Sequence, residues 1–506
     1  MTTKTTLLAS VAAIALISST AEAGTLFLAT LSGANEIPAN PSTATGTGVL
    51  ILNDAKTSAT VTGTHTVPAA TVVAGHIHRG ASTINGPVIF PFAAPVSPIG
   101  PLIWAIPAAD VVNLETGGLY FNIHSQSRPG GEIRGNFFRA VLATSAVNDT
   151  QRGLANALDV SAGFSADLDQ VLISTNLLSS ATAKAQALDD ISARSVYVQG
   201  RNAIETMGSL NGSLLSRSED QRLGGTKTST GGSMFITGGY DFGKRSATAK
   251  GSGSKIQRPY IVAGYDYAMG SNASAGLALG YADGEDKLSN GGGRSKVKTT
   301  SLQGFFASEL SDNVALDGSL GYGWVKVNTT RAITSLARTA TSAPKGTTWS
   351  GVLKLSTQVD VGGDAVMSPY VLVDHQNASI KGYAETGAGA LGLVVPKLKT
   401  KNSAAEIGAT FASPAQQSWG VLTPRLTVGA HYVFDETGGA FSTQLVGSTV
   451  AFATPVQHPG KTAAHVEASI SAAMTTGMVA SVGYRGLVGA SDQSNHALEA
   501  RVSFKF

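Results

Sequence analysis

His496-Ala497-Leu498-Glu499-Ala500-Arg501-Val502-Ser503-Phe504-Lys505-Phe506 ends the chain, and from Leu498 onward it alternates without a slip. Leu498, Ala500, Val502, Phe504 and Phe506 fall on one face, and Glu499, Arg501, Ser503 and Lys505 on the other. Side chains alternate across a strand, so this is a strand with one apolar and one charged face. A strand with lipid outside and water inside carries this pattern. The same pattern recurs upstream. Val314, Leu316, Leu320, Tyr322 and Trp324 oppose Asp317, Ser319 and Gly321. Leu426, Val428, Ala430, Tyr432 and Phe434 oppose Thr427, Gly429 and His431, and Val466, Ala468, Ile470 and Ala472 oppose Glu467, Ser469 and Ser471. From residue 233 to 506 twelve strand candidates start near Met234, Arg258, Ser274, Val297, Asn313, Thr347, Ser368, Lys401, Gly420, Ala463, Met478 and His496. An even count closes an antiparallel sheet without an edge. Tyr322, Trp324 and Tyr432 suit interfacial girdles, and the tight turn at Ser311-Asp312 contrasts with the long stretch Arg331 to Lys345. The fold class expected is mainly β: a small N-terminal β-sandwich, an α-helical linker and a C-terminal twelve-stranded transmembrane antiparallel β-barrel.

Composition agrees with that division. At 506 residues the chain is long enough for two or three units. Its 59 glycines suit turns and packed strands, and its net charge of +3 gives no support for a nucleic-acid partner. With no cysteine, disulfides and Cys metal sites are excluded. Lys4, the apolar run Leu7 to Ile17 and Ala21-Glu22-Ala23 have the layout of a signal peptide over residues 1–23. That run is too short to span a bilayer.

Residues 24–140 are β-rich. Thr25 to Leu31, Gly48 to Leu52, Ala59 to Thr66 and Val88 to Phe92 have strand composition, broken by the clusters Asn35 to Pro41 and Pro95 to Pro101. Residues 141–232 are the linker. Leu154/Leu158 and Leu168/Leu172 have helical spacing, and Ala181 to Met207 reads as a further helix with a weak apolar face. Such a helix is either solvated or threaded through a polar lumen. Leu223 to Gly232 reads as a loop closing the helical region.

The order signal peptide, N-terminal domain, Ala-rich helices and aromatic-ended barrel resembles an autotransporter of the type V secretion pathway. Leu154 to Asp159 and Ala187 to Ser192 resemble the short helices that precede such barrels. The resemblance implies a barrel in the outer membrane of a Gram-negative-type bacterium, in contact with its lipid and built in by the barrel assembly machinery. It implies a linker helix in the pore and a passenger at the cell surface. Phe504 and Phe506 resemble the outer-membrane assembly signal.

Within the N-terminal unit, Ala74-Gly75-His76-Ile77-His78-Arg79-Gly80 carries the densest chemistry. At i, i+2 on a strand the two imidazoles share a face about 7 Å apart. His124 lies in a second strand candidate and shares a face with Asn122, so three nitrogens meet if the two strands are neighbours, with His65 as a candidate fourth. Two readings stand side by side. One is a structural hydrogen-bonded cluster that uses the turn Arg128 to Gly131 and the pair Glu132/Arg134. The other is a metal site on His76, His78 and His124, for which copper or zinc is the suitable ion. The blocks around Glu36, His76-Ile77-His78, Asn85, Asn122-Ile123-His124 and Arg128-Pro129-Gly130-Gly131-Glu132-Ile133-Arg134-Gly135 resemble the CHRD domain, named for chordin, in family order over residues 25–138. On that resemblance Glu36, Asn122, Gly130, Gly131, Glu132 and Arg134 are structural motif residues and no cofactor is required. The pattern also has a fainter similarity to copper/zinc superoxide dismutases, whose zinc-binding Asp and disulfide have no counterpart here.

No Gly-x-Ser-x-Gly elbow and no His-Glu-x-x-His helix occur, and Gly291 to Arg294 lacks the ending of a phosphate loop. The expected function is therefore non-enzymatic: export and anchoring of a binding or adhesion module with an extracellular ligand. A metal-dependent surface protein and a porin-like barrel with a periplasmic CHRD domain are the alternatives.

Overall fold

The computed structural model describes residues 23–223, 231–458 and 460–506, so the expected signal peptide and most of the expected Leu223–Gly232 loop lie outside the described residues. In the N-terminal unit nine strands form one antiparallel sheet. They are β1 (Gly24–Ser32), β2 (Thr45–Asn53), β3 (Ala59–His65), β4 (Val72–Arg79), β5 (Val88–Pro91), β6 (Ile99–Trp104), β7 (Leu119–Ser125), β8 (Ile133–Asn136) and β9 (Phe138–Arg139). The order is β5-β4-β7-β8-β1-β2-β3-β6, with β9 added to β1. β8 and β1 share a single register pair, Ser32 with Arg134, and the sheet creases there. The expected sandwich is built from this one continuous sheet. Its two walls face each other over Phe27, Leu50, Val61, Ile77, Phe121, Ile123 and Ile133, all buried. Phe121 closes the gap by lying on bare backbone, since a Cβ on Gly48 would sit 2.6 Å from its ring.

Three helices belong to the same unit: α2 (Asp149–Asp159), α3 (Ala166–Asn176) and α4 (Ala181–Ile191), after the short α1 (Ala108–Glu115) between β6 and β7. Asn148 caps α2 by accepting the Gln151 N–H at 2.9 Å, and Gln151 ties α2 to α4 through Asp189 at 2.8 Å. The single helix expected over Ala181 to Met207 is two helices. The chain leaves helical geometry after Ile191, and α5 (Val198–Leu223) then runs on for 26 residues. The division falls where Arg194 turns to donate to the carbonyl of Gly251 at 3.2 Å, a tertiary contact without a local signal.

In the second unit twelve strands close into an antiparallel barrel, as expected. They are β10 (Gly232–Arg245), β11 (Ser254–Ala268), β12 (Ala273–Leu288), β13 (Gly293–Ser311), β14 (Val314–Ile333), β15 (Lys345–Thr357), β16 (Ala365–Ile380), β17 (Leu398–Ala412), β18 (Gly420–Glu436), β19 (Thr462–Met474), β20 (Met478–Val488) and β21 (Gln493–Lys505). The first and last pair, with Met234 opposite Phe504 and Ser233 opposite Lys505. β13 and β14 are 19 and 20 residues long, well beyond the ~10 that span a bilayer. Their outward faces show why. Leu277, Leu279, Tyr281, Leu302, Leu320, Tyr322 and Trp324 are exposed. Tyr281, Thr300 and Trp324 lie in one register row. Beyond that row the outward residues become charged, and Lys298 pairs with Asp283 at 3.6 Å. Above the row the apolar residues turn inward, as with buried Val297, Val325 and Val327. The row marks one edge of the lipid-facing band. Toward the opposite rim Phe504 and Phe506 point outward, the ring of Phe506 6.0 Å from that of Tyr265.

Candidate functional site

The lumen is occupied by α5, which has too weak an apolar face to bury itself by hydrophobicity. Its charges explain its burial instead. All six charged residues of α5 are ion-paired. Glu205 meets Arg245 at 2.5 Å and Arg258 at 2.9 Å, Arg217 meets Asp266 at 2.6 Å, and Arg222 meets Asp317 at 2.6 Å. Glu219 pairs with Arg425 at 3.0 Å and with Lys354, and Asp220 pairs with Arg501 at 2.7 Å. Met207, Leu210 and Leu214 pack on Phe235, Val262 and Phe305 along one side only. On the other side a cavity of about 230 Å³ remains, lined by Gly208, Gly212, Asp374, Glu406, His431 and His465. The helix has a defined direction. At its start Tyr197 donates to Gln457 at 2.9 Å and Gln199 to Tyr383 at 2.6 Å, both in long connections of the barrel. Its last turns reach Asp266 and Asp317, beside the short turns. The chain therefore enters the lumen from the long-loop rim.

In the N-terminal unit the face of β4, β7 and β8 opposite the core carries a buried polar layer. Register sets its rows. His78 lies opposite Tyr120 and then Asn136, His76 opposite Asn122 and then Arg134, and Ala74 opposite His124. One ligand nitrogen from each of His76, His78 and His124 lies within 4.8 Å of the others. Nδ1 of His76 is 3.2 Å from Nε2 of His124, and the His76 and His78 rings meet edge to face at 5.4 Å. Nδ1 of His78 is 2.9 Å from the Gly86 carbonyl, and Nδ1 of His124 is 3.0 Å from that of Pro129. Tyr120 stacks on His78 at 4.7 Å and carries the Arg134 guanidinium 3.7 Å from its ring centre. Arg134 is fully buried and donates to Asn85 at 2.9 Å and to the carbonyls of Ala81 and Ile84 at 3.2 Å. It thereby pins the segment that covers the layer.

The comparisons with known proteins agree with these two geometries. The autotransporter β-domain family matches residues 234–485 and the CHRD domain family residues 27–137. The chain carries an autotransporter β-domain behind a CHRD domain. Among solved structures, similarity is found to the translocator domain of autotransporter NalP from Neisseria meningitidis, 16% identical over 60% of this chain and 99% of that one, with a TM-score of 0.46. The β-domain of the Bordetella autotransporter Brka is 14% identical over 55% and 100%, with a TM-score of 0.41. The transport unit of AIDA-I from Escherichia coli is 11% identical over 58% and 98%, with a TM-score of 0.39. No curated protein matches the chain. The autotransporter β-domain places the barrel in the outer membrane.

Several expected site residues take other roles within the CHRD domain. His65 does not join the cluster, because its Nε2 bonds the Pro95 carbonyl at 2.8 Å on another strand. Glu132 and Arg134 do not serve the histidines either. Glu132 accepts from Ser125 at 2.6 Å, from Arg128 at 3.0 Å and from Ser42, which holds its carboxyl below the usual range despite burial. From the expected turn only the Pro129 carbonyl takes a histidine. Gly131 has a φ of 143°, and a Cβ there would lie 2.5 Å from the Glu36 carboxylate, so only glycine admits Glu36. Gly130 stands in open space at the turn. Asn122 is buried, with Oδ1 unbonded among the described residues. The covering segment and its anchor Asn85 were not among the expected site residues; only the resemblance to the CHRD domain marked the block around Asn85.

Burial sets the charge states. It raises Glu36 to about 7, with Arg134 opposing that shift. It lowers His76 to about 4, helped by the neighbouring His124 and His78, and it also lowers His78 and His124. The two effects have opposite signs in the pH dependence of stability. Glu36 binds its proton more tightly when folded, so its contribution is present in acid and is lost as pH rises from about 4.5 to about 7. The histidines bind protons less tightly when folded, so their contribution is lost as pH falls from about 6.5 toward 4. Glu36→Gln therefore stabilises the CHRD domain by about 1–2 kcal/mol at pH 8, after discounting for solvent near the carboxylate, and by nearly nothing at pH 4.5. Hydrogen exchange of β4, β7 and β8 peptides at the two pH values measures this. Equal effects at both would refute the assignment.

Proposed function

We propose that the barrel exports and then anchors the CHRD domain at the cell surface, where it acts as a non-catalytic binding or adhesion module. The observation that carries the reading is the direction of α5. It plugs the lumen from the long-loop rim down to the short-turn rim, so the chain before Val198 leaves on the long-loop side. Long loops face outward in barrels of this class, and short turns face the periplasm. The outward aromatic ending at Phe504 and Phe506, next to the closing seam between β10 and β21, suits recognition by the barrel assembly machinery.

Antibody labelling and protease treatment of intact cells test the reading. Label and cutting within residues 24–140 on unbroken cells are expected. Label that appears only after the outer membrane is opened would instead support a porin-like barrel with a periplasmic CHRD domain.

A further inference from the structure

The hydrogen-bond inventory of the histidine cluster does not close. A carbonyl only accepts, so the Gly86 and Pro129 carbonyls each require a hydrogen on the Nδ1 that faces them, in His78 and in His124. Both Nε2 atoms then carry lone pairs. His76 has one N–H when neutral, and its Nδ1 faces His124 Nε2 at 3.2 Å. Even if that hydrogen serves His124, His78 Nε2 stays buried with no partner among the described residues. A purely structural cluster leaves this acceptor orphaned, at a cost native interiors seldom accept. Yet the carbonyl contacts on the far nitrogens are the arrangement that fixes tautomer and ring orientation in metal-binding histidines.

We infer that the CHRD domain holds one divalent transition-metal ion, zinc or copper, on His76 Nδ1, His78 Nε2 and His124 Nε2, with a fourth position open to solvent. Three neutral imidazoles without a carboxylate or thiolate select this class of ion over calcium or magnesium. Metal–nitrogen bonds near 2.0–2.1 Å place tetrahedral ligands about 3.4 Å apart. The His76–His124 pair is already at 3.2 Å, and closing the rest from within 4.8 Å needs only small ring movements. His78 and His124 are buried while His76 is half-buried, so the open position faces outward past His76. There the ion takes water or an oxygen or nitrogen donor from an external molecule. This gives the polar layer a ligand chemistry that the surface-display reading does not supply, and it does not depend on that reading.

The test uses the mature full chain folded in detergent micelles, stripped with chelator, loaded with Zn²⁺ or Cu²⁺ alone and desalted. We expect one equivalent retained, and imidazole nitrogen couplings in the Cu²⁺ electron paramagnetic resonance spectrum. His76→Ala should lower affinity by about 100-fold or more. The barrel variant His431→Ala/His465→Ala should keep the equivalent, because those side chains serve Glu406 in the lumen. A fold-independent readout comes from the unaltered chain: Zn²⁺ should slow hydrogen exchange in β4 and β7. No retained metal in the unaltered chain, full retention by His76→Ala, or loss in the barrel variant overturns the site.

Discussion

Arg134→Leu strongly destabilises the CHRD domain and leaves the barrel closed. Arg134 is fully buried, its guanidinium lies on Tyr120, and it holds Asn85 and the carbonyls of Ala81 and Ile84. Leucine fills part of the volume but supplies no donor. Two carbonyls and an amide lose their partners, and Glu36 loses a neighbouring cation. Removing one member of a buried polar network typically costs about 3–5 kcal/mol. That is a large share of the 5–15 kcal/mol that holds a domain together. Urea unfolding followed by hydrogen exchange should show strands β1 to β8 losing protection at a much lower midpoint. The heat-resistant electrophoretic mobility of the barrel should not move, because its closure rests on β10–β21 pairing within the other unit. A shift of less than about 1 kcal/mol would mean that solvent, not Arg134, satisfies the covering segment.

Removal of residues 24–223 should open the pore. With α5 present, the helix fills the described lumen beside a one-sided cavity of about 230 Å³. Without it, Arg245, Arg258, Asp241, Asp317, Arg425 and Arg501 line a water-filled channel. A twelve-stranded barrel is wide enough to pass hydrated ions once its interior is empty. Single-channel conductance in planar bilayers should rise by about an order of magnitude over the full chain. Equal conductance would mean that α5 does not block the path. The wall charges lose their helix partners in this truncation, but they regain water, so assembly should persist.

Strand positions were legible because a period of two survives any local context. Alternation at Leu498 to Phe506 and at Leu426 to Phe434 reports lipid on one side and water on the other, whatever the neighbouring strands are. Strand length was less legible. On β13 and β14 the alternation continues past Thr300 and Trp324 with its polarity inverted, and composition alone does not separate a membrane face from an aqueous one there. Helix α5 was the least legible. Its polar residues 208–223 predict no buried face, although the loop from Leu223 marks its end, since their partners are wall charges such as Asp266, Asp317 and Arg501, up to 281 residues away.

In the CHRD domain the sequence placed His76 and His78 on one face, because strand geometry fixes the relation of i and i+2. It also offered His124 as a third nitrogen on the condition that its strand lay beside theirs. The exclusion of His65 and the hydrogen on each outer nitrogen were decided by the tertiary structure. Pairing of β4 with β7, with His76 opposite Asn122, and the covering carbonyls of Gly86 and Pro129 are long-range facts. What the sequence by itself determined was therefore periodic: which residues face lipid, which face water, and which share a strand face. Only the tertiary structure decided which polar groups meet, because a charge or a lone pair carries no local mark of the partner that will satisfy it.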